Sequence, residues 1–416
     1  MKETDVVLYI GSHELVAVAG HVDQEPHIQR HVIRREPEGF SNGLVTNLER
    51  ASNAVDEILS DLFKNYGERY EKMKPLLSLY VVLGNAKLRT FTFASSQFYN
   101  GFRKHITTHD IRAVIEQTKS VATLPLSDFV LQVVPVSFLV NDLEGIDDPL
   151  NLDAQRLGVT LKIFTMEFES FKNISKALEV ADLTIRGYYP KPLTTSQAVL
   201  TDPEKEERSL LIDIDRDVTY LTDWKKGELV NTKILPFGER FLSEKIAAAW
   251  RIDLQDAQRV QEHYGQLHAT FEFGDELIPL IVREGHENCP IKRQDFQKDF
   301  LGFASQWLQK LIQEAQAFAE GENLYHPRYI FTGFGTRLEG FLEFVQSEFA
   351  IDGRIGHTRK LRDVPAECLF DPALTDAFGM MVWLASAELE RERLVKPSGF
   401  LQQTAAAARN LFVAYF

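Results

Sequence analysis

The residues with the clearest capacity for chemistry are Asp213, Asp215, Arg216, Asp217 and Thr219, in the stretch Ser209 to Leu229, SLLIDIDRDVTYLTDWKKGEL. An apolar run, a polar turn and a second β-rich run read as a hairpin with a short loop. The same device opens the chain at Val6 to Gly20, VVLYIGSHELVAVAG, with Gly11, Ser12 and Glu14 around its turn. Such a turn holds a phosphate when bare backbone amides reach the anion, which glycine allows because no side chain intervenes. The second turn instead carries carboxylates at Asp215 and Asp217. At 4 Å two like charges repel by about 4 kcal/mol at an effective dielectric of 20, so carboxylates aimed at a polyphosphate are costly. Arg216 would offset part of that cost and a bridging metal the rest. Two hairpins about 200 residues apart predict two related α/β lobes facing one another across a cleft, with the turns pointing into it.

The rest of the chain has the means to build those lobes. At 416 residues it is long enough for two to four domains. Asp and Glu (60) outnumber Lys and Arg (46), and the net charge of -14 repels phosphate backbones, so nucleic acid is not an expected partner. Cys289 and Cys368 lie far apart without metal spacing, which fits a reducing compartment. The start, MKETDVV, runs directly into a strand, and no apolar run reaches membrane-spanning length. A cytoplasmic protein is expected.

Along the chain, Ala51, Ala54, Val55, Ile58, Leu59 and Leu62 recur at helical spacing within Leu48 to Lys64, and Leu77 to Leu83 reads as a buried strand. From Ala86 to about Phe168 come a strand, a helix from Thr108 with that threonine as cap, and two long strands. A piece of this size reads as a small domain inserted into the first lobe. The charged run Asp202 to Arg208 reads as a solvated linker to the second lobe. There, helices follow the Pro236 to Arg240 loop and Leu254, a β-rich piece lies near Leu277 to Val282, and a long helix starts at Asp295. Strand YIFTGFG, a helix over Leu338 to Glu348, strand GRIGH and a last core helix over Pro372 to Glu390 complete the order.

Taken in this order the chain resembles FtsA, the actin-like bacterial cell-division family that attaches FtsZ filaments to the membrane. TTHDIRAVIEQ, LQVVPVSFLVNDLEGIDDPLNL and RLGVTLKIFTM in the insert carry the most specific part of the likeness, with GFSNGLVTNLERA, EHYGQL, FTGFGTRLEGF and RIGHTRKL elsewhere. The resemblance implies an α/β, actin-like two-lobed fold of duplicated ribonuclease-H-like halves, with an FtsA-type (SHS2) inserted subdomain. The expected layout is a first lobe from 1-85, 169-200 and 365-395, the insert at 86-168, a second lobe from 201-265 and 328-364 with a further subdomain at 266-327, and a helical tail at 396-416. PilM, the type IV pilus relative, shares this architecture and is the nearest competitor.

The resemblance also implies Mg-ATP between the lobes, and the remnant cleft would use Gly11, Ser12, Asp213, Thr219, Gly238, Gly333 and Gly335. The chain departs from the family at most other positions of that cleft. Tyr9 stands where the family has an acidic residue that helps place Mg²⁺, Glu14 takes a Lys-like position, and Asp215, Arg216 and Asp217 replace a run of glycines. Phe237 replaces another glycine, and Gln258 and Gln261 replace a Glu-x-x-Lys pattern on the adenosine side. Together these argue for a pseudo-ATPase with weak or absent nucleotide binding and no catalytic residues; a remodelled pocket that still takes ATP is the alternative.

Two partner surfaces follow from the same likeness. The family receives the FtsZ tail near the long helix, where Arg293, Lys298 and Lys310, with Arg283 and Lys292 nearby, are basic candidates; a solvated charged face is the other reading. The tail has aromatic and aliphatic residues, Phe400, Leu401, Leu411, Phe412, Tyr415 and Phe416, suited to lying in a membrane surface, but from Pro397 on Arg409 is its only charged side chain. A last helix packed on the protein or a neighbour is the alternative. His105 and His109, at i and i+4, suggest no metal site, and no G-x-S-x-G, Walker loop or H-E-x-x-H occurs. The expected function is therefore a self-associating, filament-forming adaptor that links FtsZ to the inner face of the cell membrane with little or no ATP hydrolysis. The alternatives are an ATP-controlled polymer and a PilM-like peptide-binding scaffold.

Overall fold

The computed structural model describes residues 4–21, 27–64, 77–99, 103–268, 273, 275–279, 290–319, 327–359, 361 and 364–395. The first hairpin forms as expected: β1 (Thr4–Ile10) and β2 (Leu15–His21) pair antiparallel, and β3 (His27–Arg35) continues the sheet. After helix α1 (Leu48–Phe63), strand β4 (Leu77–Leu83) lies parallel to β1. Strand β1 is apolar and buried from Val6 to Ile10 because both its faces are covered there. Val6, Leu8 and Ile10 meet the buried side of α1, whereas Val7 and Tyr9 face the opposite layer.

The insert is a sheet of four antiparallel strands covered on one face by a helix. It comprises β5 (Leu88–Phe98), α2 (Thr108–Val121), β6 (Asp128–Val140), β7 (Leu143–Ile146) and β8 (Arg156–Glu167), in the order β7-β6-β8-β5. Ile111, Val114 and Ile115 of α2 pack on Leu157, Val159, Leu161 and Ile163. The helix is capped by Thr107, one residue before the expected Thr108. Its hydroxyl accepts from the Asp110 amide at 3.4 Å while the Asp110 carboxylate accepts from the Thr107 amide at 3.0 Å, a capping box with an acid at the third position. The insert reaches the second lobe, where the Thr90 and Thr232 hydroxyls lie 2.7 Å apart.

Helix α3 (Phe168–Leu178), strand β9 (Thr184–Pro190) and helix α4 (Lys191–Val199) return the chain to the first lobe, where β9 pairs parallel with β4. The charged run that follows is more than a solvated linker. Residues Asp202–Glu206 form a short capped helix whose Glu204 is buried and receives Arg354 at 2.7 and 2.8 Å. Burial alone would raise the Glu204 carboxyl, but the bonds from Arg354 and Thr201 bring it down to about 2.

The second lobe repeats the first strand for strand. Hairpin β10 (Ser209–Ile214) and β11 (Thr219–Lys225) is extended by β12 (Glu228–Leu235), while β13 (Arg328–Thr332) and β14 (Gly353–Ile355) add in parallel on the other side. The orders β9-β4-β1-β2-β3 and β14-β13-β10-β11-β12 are therefore equivalent. Helices α5 (Arg240–Trp250), α6 (Leu254–Tyr264) and α7 (Arg293–Ala319) cover one face, with Phe296, Phe300 and Trp307 of α7 in its core. Helix α8 (Phe341–Phe349) starts later than the expected Leu338, because Gly340 before it has φ 80°. Of the β-rich piece near Leu277 to Val282, Leu277–Ile278 is a short strand, and residues 280–282 lie outside the described residues.

The last core helix, α9 (Thr375–Val395), crosses α4 at very short range: a Cβ on Gly379 would stand 1.9 Å from the Thr194 carbonyl oxygen. Gly302, exposed on α7, has no neighbour within 4 Å of its Cβ direction. Gly379→Ala is therefore expected to destabilise the protein by about 2 kcal/mol through forced separation of the two helices. Gly302→Ala is expected to stabilise it by about 0.5–1 kcal/mol through helix propensity. Urea unfolding of both variants checks the opposite signs.

Candidate functional site

Matching topologies bring the two hairpin turns face to face, and the space between them is filled by the protein's own ions. Lys191, the first residue of α4, is 2 % exposed. A cation at a helix N-terminus faces the positive end of the dipole, so its position needs compensation. Asp213 and Asp215 from the second lobe supply it at 3.3 and 3.2 Å, and Asp376 from α9 at 3.5 Å. The Lys191 ammonium also donates to the Tyr9 hydroxyl at 3.3 Å and lies over the Tyr9 and Tyr220 rings.

Asp215 is the centre of this cluster. Its Oδ2 takes the Tyr9 hydroxyl at 2.9 Å and Lys191 Nζ; its Oδ1 takes the Arg216 amide at 2.9 Å and lies 2.7 Å from His13 Nδ1 as an ion pair. Three hydrogen bonds and one ion pair thus converge on its two oxygens. Burial would raise the Asp215 carboxyl, but Lys191 and His13 hold it far below the usual carboxylate range. Reciprocally, burial would lower His13, and Asp215 outweighs it to push the imidazole up to about 9. The crowding of acids shows at Asp376, where burial prevails over Lys191 and drives the carboxyl up to about 7.

A second tier surrounds this core. Glu14 lies 3.3 Å from His13 and 2.6 Å from Arg34, which reaches on to Asp371 at 2.7 Å. At the mouth, the Phe334 ring contacts His13 at 4.5 Å between centroids and carries the Arg216 and Arg337 guanidinium groups. Arg216 pairs with Glu262 at 3.0 Å and lies 3.9 Å from Glu239, whose buried carboxyl is raised to about 7, by burial first, despite Arg216.

All seven residues expected in the remnant cleft gather here, but they face the chain. Cβ atoms on Gly238, Gly333 and Gly335 would stand 2.1 Å from the Asp215 carbonyl, 2.4 Å from the Asp213 carboxylate and 2.5 Å from Ile214. A Cβ on Gly11 would meet the Tyr9 ring, and Thr219 donates to the Phe237 carbonyl at 2.9 Å. Ser12 is buried, its hydroxyl without a hydrogen bond. Gln261 accepts from Ser243 at 2.6 Å rather than facing the cleft.

Sequence reasoning overlooked Lys191, His13, Asp376 and Arg34. A usable signal existed, since Lys191 is the only charge in KPLTTSQAVL and Asp376 the only one in TDAFGMMVWLAS. A lone charge in an otherwise uncharged buried stretch needs a partner.

The expected partner residues are less uniform. Lys298 and Lys310 are exposed, with Lys310 4.1 Å above the Phe237 ring. Arg293 instead is buried: it donates to the Tyr264 carbonyl and stacks with Tyr264, Phe273 and Phe296, so it does not present a docking charge. Lys292 is exposed, whereas Arg283 and the tail residues Phe400, Leu401, Leu411, Phe412, Tyr415 and Phe416 lie outside the described residues. His105 lies 3.3 Å from Asp153, and among the described residues no cluster of His, Cys, Asp or Glu could hold a metal ion. Nor, among them, is any helix long and apolar enough to cross a membrane.

Comparison with known proteins supports the architecture. Residues 93–165 match the family model "SHS2 domain inserted in FTSA", and residues 210–379 match "Cell division protein FtsA". The cell division protein FtsA of Neisseria meningitidis serogroup B is 23% identical over 402 residues, covering 95% of this chain and 93% of its own length; that of Pseudomonas aeruginosa is 22% identical over 380 residues, covering 91% and 88%. Among solved structures, a PilM-PilN type IV pilus biogenesis complex aligns with a TM-score of 0.61 at 15% identity, covering 92% of this chain and 98% of the other. MreB5 of Spiroplasma citri bound to AMPPNP aligns at 0.53 and 12%, covering 94% and 99%. These likenesses establish an actin-like fold.

The groups that would meet a nucleotide and Mg²⁺ are partly engaged within the chain, while Ser12 Oγ, Asp213 Oδ1 and Arg216 Nε are buried without a hydrogen bond. Asp215 takes three hydrogen bonds and the ion pair with His13. The amides of Gly11, Asp215, Glu239 and Arg240, which line the turns, already donate to the carbonyls of Glu14, Val218, Asp215 and Arg216.

The raised groups give a pH signature. His13, held at about 9 against an unfolded value near 6.5, contributes stability fully below pH 6.5 that is lost as pH rises to 9. Glu239, at about 7 against 4.5, makes stability fall between pH 4.5 and 7. Wild-type stability is thus expected to drop by about 2–3 kcal/mol between pH 6.5 and 9. In urea unfolding across this range, His13→Gln should remove that slope, and Glu239→Gln should flatten only the part below pH 7.

Proposed function

The chain belongs to the FtsA family of actin-like cell-division proteins, and we propose that it acts as a self-associating adaptor that links FtsZ filaments to the cytoplasmic membrane with little or no ATP hydrolysis. The observation that carries this reading is the SHS2-type insert at 93–165 joined to an FtsA-type second lobe at 210–379 in one chain. Its non-hydrolytic part is supported by the Asp215 carboxylate and the turn amides, which are engaged within the chain. FtsZ would dock by its C-terminal tail near Lys298 and Lys310, where exposed ammonium groups could meet an acidic peptide. The tail beyond residue 395 would supply the membrane contact. A second reading, a PilM-like scaffold holding a partner's peptide, is favoured by the alignment with the PilM-PilN complex over 92% of the chain.

Fluorescence anisotropy with a labelled FtsZ C-terminal peptide tests the central claim. Lys298→Glu/Lys310→Glu is expected to weaken binding at least about tenfold, near 1.4 kcal/mol; no binding by the wild type would move the choice to the scaffold. A chain ending at Val395 is expected to stop sedimenting with anionic vesicles, and micromolar Mg-ATP affinity by calorimetry would restore the ATP-controlled alternative.

A further inference from the structure

We propose that Lys191 is a built-in bridging cation: its ammonium, with the His13 side chain, ties Asp213 and Asp215 of the second lobe to the first, so the lobes close without nucleotide or divalent metal. The inference extends the proposed independence from ATP to a specific residue and state.

Geometry is the basis. Lys191 and Asp376 come from two helices locked by the Gly379 contact, and Asp213 and Asp215 from the opposite sheet, so the ammonium sits between two separately built bodies. Every group around it is buried: Lys191 at 2 %, Asp213 and Asp376 at 1 %, Asp215, Tyr9 and Tyr220 at 0 % exposure. Thr195 holds the second oxygen of Asp213 at 3.0 Å, and the Ala377 amide holds Asp376 at 2.6 Å. His13 ties the tip of the first hairpin to the same Asp215 at 2.7 Å, so the bridge spans both loops. Carboxylates converging on one buried cation form the electrostatic arrangement that a divalent ion would otherwise satisfy. An ammonium does the same with three donors and cannot dissociate from the chain.

A consequence distinguishes this from simple core packing. Without the ammonium, the converging carboxylates repel one another, and a small divalent cation should substitute for it. Small-angle X-ray scattering and thermal melting of the full chain, with EDTA, Mg²⁺ alone or Mg-ATP, provide the test. The wild type is expected to keep the same radius of gyration and melting temperature in all three. Lys191→Met is expected to be more open and to melt lower, and millimolar Mg²⁺ should restore part of both. A wild type that compacts or is stabilised only with Mg-ATP overturns the non-nucleotide reading and this inference together. A wild type insensitive to ligands, with Lys191→Met as compact as wild type and blind to Mg²⁺, overturns the bridging role alone. Should Lys191→Met not fold, Lys191→Met/Asp213→Asn removes one charge of each sign. That variant should fold open and respond little to Mg²⁺, and a compact form overturns the proposal.

Discussion

The constraint on which this structure depends is the burial of one ammonium group between two lobes. Taking Lys191 and its carboxylates out of water costs several kcal/mol per ion, and their attraction repays that only when the geometry is good and the remaining acceptor sites are filled. Here Tyr9, Thr195 and the amides of Arg216 and Ala377 donate to the carboxylates, while Asp213 Oδ1, 3.3 Å from the ammonium, takes no hydrogen bond. The cluster is therefore better understood as fixing geometry than as adding stability. Any relative movement of the lobes that pulls Asp215 from Lys191 strands a buried charge of each sign.

The architecture supplies what that cluster requires. Equivalent strand orders in the two sheets put the β1–β2 and β10–β11 turns opposite one another. The close crossing of α4 and α9 sets Lys191 beside Asp376, and only a residue without a side chain permits it at Gly379. Outside the cleft, Glu204 with Arg354 and the Thr90–Thr232 contact hold the lobe boundary and the insert to the second lobe. Inter-lobe geometry is thus held at several separate places, of which the cleft is the most buried.

The framework was legible in the sequence because hairpins, a buried helix face and the insert have strong local periodicity. LSLYVVL and SLLIDI read as buried strands and are. The site was only partly legible. Asp215, Arg216, Phe237 and Tyr9 stood out as departures from a phosphate-holding turn, but the groups gathered around Asp215 lie far away in sequence, at Lys191, His13 and Asp376. Pairings of that range are set by tertiary packing, and no local pattern encodes them. Arg293 illustrates the converse: as a basic residue near a long helix it suggested a docking charge, yet three aromatic rings enclose it. Charge type alone does not reveal exposure, since an arginine with aromatic neighbours can be buried through stacking.

The unusual residues of the cleft make sense as one set. Two hairpin turns that face one another across a cleft bring carboxylates to neutralise and volume to fill, and buried polar groups left unpaired are costly. Lys191 and His13 supply positive charge, and Tyr9 contributes a phenol that donates to Asp215 where a further acid would add repulsion. Phe334 and Arg216 cover the mouth by stacking. Changing one member of the set leaves the others in place. Glycine in place of Arg216 would free backbone, but Tyr9 and Lys191 would still hold Asp215. The turn and the bridging cation therefore act as one unit, and neither can be altered without the other feeling it.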